Sequence, residues 1–251
     1  MEFVKMEGLG NDFIVIAGPA DPNAGEIRSW CDRRRGIGAD GVLEVTRLGG
    51  DRVRMRYWNA DGGAAEMCGN GLRCVARFAV ERGWVEARRF VVETAVGDRL
   101  VEIDGEGSVR ALLGTPRDEG PVAAAGVALH RVDIGNPHAI WWVDDVGEAP
   151  VAEVGPAVER DASFAAGTNV EFAQVVGTNR IGLRVWERGV GETLACGTGA
   201  AATAFLAYRQ GRVGAKVEMA LRGGVLEVEL TEEGAWIRGP ANTVFRGVLV
   251  S

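Results

Sequence analysis

Along most of the chain, apolar and polar residues alternate in short runs at the two-residue spacing of strands. Only a few segments carry the longer period of a helix. Strands are predicted over 3–6 and 13–16, separated by Gly8, Gly10, Asn11 and Asp12, residue types that turn a chain and can aim backbone N–H groups or an amide at a ligand. A short helix over 25–33 leads into the glycine-rich 35–41, which has neither the Lys-Ser/Thr of a Walker loop nor the third glycine of a dinucleotide fingerprint. Strands follow over 42–45 and 53–58, then a helix over 72–82. Beyond Gly83 the pattern is short strands at 90–94, 99–103 and 109–113, closed by Gly114, Thr115 and Pro116.

From there the order begins again. Gly10-Asn11 is answered by Gly135-Asn136, Gly38-Ala39-Asp40 by Gly167-Thr168-Asn169, Trp58-Asn59 by Trp186-Glu187, and Gly83 by Gly211. Cys68-Gly69-Asn70-Gly71 is answered by Cys196-Gly197-Thr198-Gly199, at an offset of 128 residues. The repeat predicts two similar halves, each strand-rich with one prominent helix just after its cysteine. Facing halves would set Cys68 and Cys196 on opposite sides of a cleft.

Composition fits that picture and narrows the function. With 251 residues, 47 % hydrophobic and 25 % charged, the chain reads as a globular protein of one large or two ordinary domains. No run nears the roughly 20 apolar residues of a membrane helix and no basic-then-apolar leader is seen, so a soluble, cytoplasmic protein is expected, away from membranes. A net charge of −7 and a pI near 5.1 argue against nucleic acid as a partner. The cations at 33–35 read as a solvated loop or helix end. Cys31, Cys68, Cys74 and Cys196 form neither a disulfide framework nor a Cys-x-x-Cys pair, and with only His130 and His138 as histidines no metal site is expected.

That leaves thiol chemistry or inert burial. A thiol at a helix N-terminus is expected to have a lowered pKa, because the unsatisfied N–H groups favour a thiolate, and the glycines after it let the backbone approach a carboxylate. Inverting a carbon that carries an amine, a carboxylate and a hydrogen needs a base on one face and an acid on the other. Two thiols exchanging the roles of thiolate and thiol meet that need. A pyridoxal cofactor would require a Schiff-base lysine, and Lys5 and Lys216, the only lysines, lie in no cofactor motif. No cofactor is expected. His138 and Glu187, at repeated landmarks, are the candidates for adjusting the thiols, and Asn11, Asn59, Asn136 and Asn169 together suit a zwitterion. Cys31 and Cys74 are expected to be bystanders, Cys74 packed within its helix.

The motifs resemble those of the diaminopimelate epimerases. They are Gly8-Leu9-Gly10-Asn11-Asp12-Phe13, Arg35 to Gly41, Asn59-Ala60-Asp61, Glu66-Met67-Cys68-Gly69-Asn70-Gly71, Gly135-Asn136-Pro137-His138, Gly167-Thr168-Asn169-Val170, and Glu187 to Thr193 with Cys196-Gly197-Thr198-Gly199. The resemblance implies an α+β fold of two pseudo-symmetric domains, each a mostly antiparallel sheet around a central helix, with the active-site cleft between them. The expected domains are 1–115, joined by a final strand at about 241–251, and 116–240. It implies interconversion of LL- and meso-diaminopimelate without pyridoxal phosphate, a step toward lysine and peptidoglycan precursors, and leaves a homodimer open. By the same resemblance Cys68 and Cys196 are the acid/base pair, tuned by His138 with Glu187. Asn11, Asn59, Asn136, Asn169 and Arg188 contact substrate, mostly at its distal end. Glu187 holds the reacting ammonium, and Gly69, Asn70, Gly197 and Thr198 hold the reacting carboxylate.

Two departures stand out. Glu7 brings a charge where the family often has histidine or a neutral residue, and Gly41 stands where some members use glutamine. A proline or hydroxyproline racemase resembles the family in fold and thiols but has no need of Arg188 and the asparagines. A silent binding protein would have no need of both cysteines with His138 and Glu187.

Overall fold

The computed structural model describes residues 1–65, 67–104 and 108–249. Glu66, in the first cysteine motif, and the last two residues of the expected 241–251 strand lie outside them. The chain divides into two compact units, Met1–Ala111 with Gly239–Ser251, and Leu112–Arg238.

The first unit begins with β1 (Glu2–Gly8), β2 (Asn11–Ala17), α1 (Ala24–Cys31), β3 (Gly41–Arg47), β4 (Arg52–Asn59) and the two-residue β5 (Ala64–Ala65). It continues with α2 (Gly69–Glu81), β6 (Arg89–Thr94), β7 (Gly97–Ile103) and β8 (Val109–Gly114). The second holds β9 (Arg117–Ala124), β10 (Val127–Asp133), β11 (Pro137–Trp142), α3 (Val151–Glu159), β12 (Asn169–Gly177), β13 (Arg180–Glu187) and β14 (Gly191–Thr193). Then come α4 (Gly197–Arg209), β15 (Lys216–Leu221), β16 (Gly224–Thr231) and β17 (Gly234–Gly239), and β18 (Asn242–Val248) returns to the first unit.

The duplication is one of pairing as well as order. β1–β2 is antiparallel, β2–β3 parallel, β3–β4 antiparallel, β4–β6 parallel, and β6–β7 and β7–β8 antiparallel. The second unit runs the same sequence: β10–β11, β11–β12, β12–β13, β13–β15, β15–β16 and β16–β17. Register repeats too, Val42 opposite Trp58 and Val170 opposite Trp186. β18 adds to the free side of β1, and β9 adds to that of β10, both antiparallel.

The strands surround one helix in each unit. α2 packs against β1, β2, β3, β4 and β7; α4 against β10 to β13, β15 and β16. Leu72, Val75, Ala76, Phe78 and Ala79 of α2 are buried, each large side chain stabilising by about 1.5–3 kcal/mol. Arg77 and Glu81 pair four residues apart at the exposed edge, 2.6 Å. α4 is small-residue-rich, and Ala200, Ala201, Ala202, Ala204 and Ala207 let it sit buried nearly all round. Both helices end alike. Gly83 and Gly211 adopt left-handed φ of 65° and 68°, and the N–H of Trp84 reaches Ala79 O while that of Arg212 reaches Ala207 O.

The sequence reading misplaced two helix ends. The helix expected over 72–82 starts at Gly69, directly after Cys68, because the glycines fall inside its first turn. The helix expected over 25–33 spans Ala24–Cys31, opened by an Asn23/Glu26 capping box and ended where Asp32 turns extended. Asp32 then accepts from the N–H groups of Arg34 and Arg35, 2.8 Å each, so this basic run is a folded turn.

Candidate active site

Cys68 is the residue that caps the start of α2, with extended backbone. Its thiol donates to Oδ1 of Asn11 at 3.5 Å, and Nδ2 of Asn70 donates to the same oxygen at 3.3 Å. Asn11 is itself fixed, because its Nδ2 donates to Asp40 at 2.7 Å and Asp40 is paired with Arg33 at 2.6 Å. Asn11 opens β2 just after a two-residue hairpin turn, Leu9 and Gly10, with φ of 57° and 81°. A buried leucine in the left-handed region is unusual and marks a turn held by its surroundings. Part of that hold is Glu7: one oxygen accepts from the Gly10 N–H at 2.9 Å, and the other from Asn242 of β18. The departure at position 7 thus closes the turn that presents Asn11.

One turn into α2 lies Arg73, wholly buried. Its guanidinium donates to Asn70 Oδ1 (3.0 Å), Gly69 O (3.4 Å) and Pro240 O (3.2 Å). Asn70 therefore turns its oxygen to Arg73 and its nitrogen to Asn11. Below the turn, Asp12 binds Arg33 through both oxygens and pairs with the buried Lys5. Burial opposes the Asp12 charge, but the hydrogen bonds and positive charges of Arg33 and Lys5 outweigh it and hold the carboxyl below its usual value. A carboxylate with a depressed folded pKa contributes stability that is full above its unfolded pKa, about 4, and lost as pH falls through the folded value. Asp12→Asn is accordingly expected to be less stable than the parent at pH 7 and to lose less on acidification from pH 5 to 2, measured by urea unfolding.

In the second unit Cys196 holds the same extended position before α4, and there, unlike Cys68, its side chain caps the helix. Its sulfur accepts from the Gly199 N–H at 3.4 Å and lies 3.4 Å from the Thr198 hydroxyl. Thr198 Oγ1 accepts from Nδ2 of Asn136 at 3.4 Å, and Oδ1 of Asn136 lies 3.1 Å from Nε2 of His138. His138 donates from Nδ1 to Glu171 at 2.6 Å, both side chains having no exposed surface. The second oxygen of Glu171 is buried with no hydrogen-bond partner. A polar chain thus runs from Cys196 through Thr198, Asn136 and His138 to Glu171. Gly199 gives Glu171 room, since a Cβ there would stand 2.6 Å from its oxygen.

Asn169 donates to Pro137 O (2.9 Å) and accepts from the Arg188 N–H (3.0 Å), which ties β12 to the loop after β13. Glu187 accepts from Thr193 at 2.6 Å. The Asn59 backbone makes the turn from β4 to Gly63. The structure therefore gathers Asn11, Cys68 and Asn70 in one unit, and Asn136, His138, Cys196 and Thr198 in the other. Asn59 joins neither cluster through its hydrogen bonds, and the carboxylate bonded to His138 is Glu171, while Glu187 lies on Thr193.

The expectation of a lowered thiol pKa at each helix N-terminus fails at Cys196. Burial raises it well above the usual thiol value, Glu187 and Glu171 raise it further, and the bonds from Thr198 and Gly199 offset only part. Cys31 and Cys74 are buried, and their thiols are pushed up by that burial to about 11 and about 12. Among the described residues, no group of three or more His, Cys, Asp or Glu side chains could hold a metal ion, and no helix is long and apolar enough to cross a membrane.

Glu171 and Arg73 were missed in the sequence. Each breaks the repeat: at the 128-residue offset Glu171 corresponds to Leu43 and Arg73 to Ala201. A charge in one copy facing an apolar residue in the other was the available signal.

Among solved structures, a probable proline racemase from Agrobacterium radiobacter K84 has a TM-score of 0.74 at 17% identity, covering 99% of this chain and 92% of that one. A Bacillus anthracis phenazine biosynthesis protein of the PhzF family has a TM-score of 0.75 at 16% identity, covering 100% and 99%. Both share the fold. Curated relatives named diaminopimelate epimerase include that of Heliobacterium modesticaldum, 44% identical with 99% of each chain covered, and that of Moorella thermoacetica, 42% identical with 98% of each covered. The family model described as Diaminopimelate epimerase matches residues 3–118 and 131–244. With both halves matched and its relatives covered over nearly their full length, the chain belongs to the diaminopimelate epimerase family.

Proposed function

We propose that this protein interconverts LL- and meso-diaminopimelate by passing a proton between the substrate α-carbon and two cysteine sulfurs, without pyridoxal phosphate. The observation that carries this reading is the pair of thiols, Cys68 and Cys196, each placed at the start of the central helix of a duplicated unit in a chain of this family.

In either direction one sulfur, as thiolate, takes the α-proton while the other, as thiol, delivers its proton to the opposite face. The backbone N–H groups of Gly69 and Asn70, and of Gly197 and Thr198, stand at the two helix starts, where orphan donors suit the reacting carboxylate and the charge that develops on it. Glu187 takes the reacting ammonium. Asn11, Asn59, Asn136 and Asn169 contact the substrate, mostly away from the reacting carbon. Arg188, exposed and joined to Asn169 through its backbone, pairs with the distal carboxylate. His138 with Glu187 adjusts the thiols.

The test is incubation with LL-diaminopimelate in deuterated water. The expected result is formation of the meso isomer with solvent deuterium at the inverted centre. Absence of both exchange and meso product, or equal turnover of proline, overturns the proposal.

A further inference from the structure

In each unit a short helix grips the tight turn that precedes the cysteine. The turn after β4 is closed by the Gly62 N–H on Asn59 O, 2.9 Å, and the turn after β13 by the Val190 N–H on Glu187 O, 3.0 Å. These bonds correspond at the 128-residue offset. The grips correspond in place but not in chemistry. Arg28 of α1 donates to Asp61 O at 3.1 Å, whereas Glu159 of α3 accepts at 2.8 Å from the N–H of Gly189, the counterpart of Asp61. Cys31 stands where a second Glu159 would be, and Pro156 where a second Arg28 would be. Two unrelated side chains thus reach the same backbone position, so holding this turn matters more than the means of holding it.

Glu159 does more than Arg28. Its other oxygen accepts from the Trp186 indole N–H at 2.7 Å, and Gly155 lets that indole lie against α3, since a Cβ there would stand 2.6 Å from the ring. A carboxylate on the last residue of a helix opposes the macrodipole, and the last turn of α3 has no basic residue to offset it. The two donors, not the helix, account for a glutamate there. Between Trp186 and Gly189 lie Glu187 and Arg188. Glu187 is held separately, by its place in β13 and by the Thr193 hydroxyl. Arg188 lies past that paired end: its N–H goes to Asn169, its guanidinium to Ala166 O at 3.1 Å, and Glu159 fixes the peptide bond that follows it.

We propose that Glu159 is a positioning residue for substrate binding: by holding Trp186 and Gly189 it fixes the course of the chain through Arg188, and so sets affinity for the distal end of the substrate. Proton transfer at the thiols is left to other groups. This deepens the reading above, in which Arg188 takes the distal carboxylate, and rests on it.

The experiment compares Glu159→Ala and Glu159→Gln with the parent, all as the full chain, in steady-state turnover of LL-diaminopimelate and in amide hydrogen exchange without substrate. Glu159→Ala is expected to raise KM about tenfold and to change kcat less than about twofold, as when binding common to ground and transition states is lost. Glu159→Gln keeps one of the two acceptors and should fall between. Exchange over residues 187–193 should quicken at least about tenfold in Glu159→Ala, with α4 at the parent rate. Arg28→Ala is the comparison: it should quicken exchange over 59–63 and leave 187–193 unchanged. An unchanged KM, an equal fall in kcat and kcat/KM, or unchanged exchange over 187–193 in Glu159→Ala overturns the proposal. Should that variant not fold, Trp186→Phe removes one donor, keeps the ring against α3 and is expected to raise KM; no rise overturns the proposal equally. A parent that does not turn over diaminopimelate overturns the two-thiol reading instead, and the exchange comparison, made without substrate, still decides whether Glu159 holds the turn.

Discussion

Cys68→Ala and Cys196→Ala are each expected to lower turnover of LL-diaminopimelate by about 10²- to 10⁴-fold, the range for loss of one positioned acid or base. The loss follows from the two-face requirement. A single remaining thiol can take a proton from its own face but has no partner to deliver one to the other. The folding cost should be small by comparison: at Cys196, whose sulfur caps its helix, about 0.5–2 kcal/mol for losing that cap, while the Cys68 sulfur makes no such cap bond; either is separable by thermal unfolding. Cys31→Ala is the control: Cys31 is packed among Ile14, Ile27 and Val42, and turnover should be unchanged. Inversion at the parent rate in either alanine variant, measured by chiral separation of the isomers, would falsify the two-thiol reading.

His138→Ala carries the largest expected effect on stability. The imidazole and the Glu171 carboxylate are bonded at 2.6 Å with neither side chain exposed, so removing the ring leaves a buried charge with no partner. Breaking a buried pair from one side costs about 3–5 kcal/mol, because the remaining ion cannot regain its hydration. His138→Ala with Glu171→Gln removes that charge as well and should recover much of the loss, giving a coupling above about 1 kcal/mol in a double-mutant cycle. Additive losses in urea unfolding would mean that the two side chains are not energetically paired.

How much of this was readable in advance depended on whether the information was repeated or unique. The duplication was legible because glycines at turns and helix ends must stay where backbone geometry requires them. Gly83 and Gly211 are such positions, each supplying the left-handed residue that ends a helix. The thiols were legible because the pattern Cys-Gly-x-Gly occurs in both copies. Glu171 was not, because a carboxylate between Val170 and Phe172 on a strand reads as a surface position, and only the fold shows that α4 covers it. Arg73 was hidden in the same way: an arginine in a helix normally points to solvent, and its burial depends on acceptors as distant in sequence as Pro240. Glu7 could be placed only when β18 brought Asn242 beside it. Contacts of this kind join residues more than 160 positions apart, and no local pattern records them.

The return of β18 to β1 also has a consequence for the order in which a ribosome delivers the protein. The second unit is continuous in sequence and has all its strands once Arg238 has emerged. The first is translated earlier but keeps β1 open along one side until Asn242–Val248 arrives. Until then the turn that presents Asn11 lacks Asn242, and Arg73 lacks the Pro240 carbonyl. The half made first is therefore the half completed last, and a released chain truncated at residue 239 would hold a second unit with all its residues and a first unit with an unpaired strand edge, the form most exposed to misassociation.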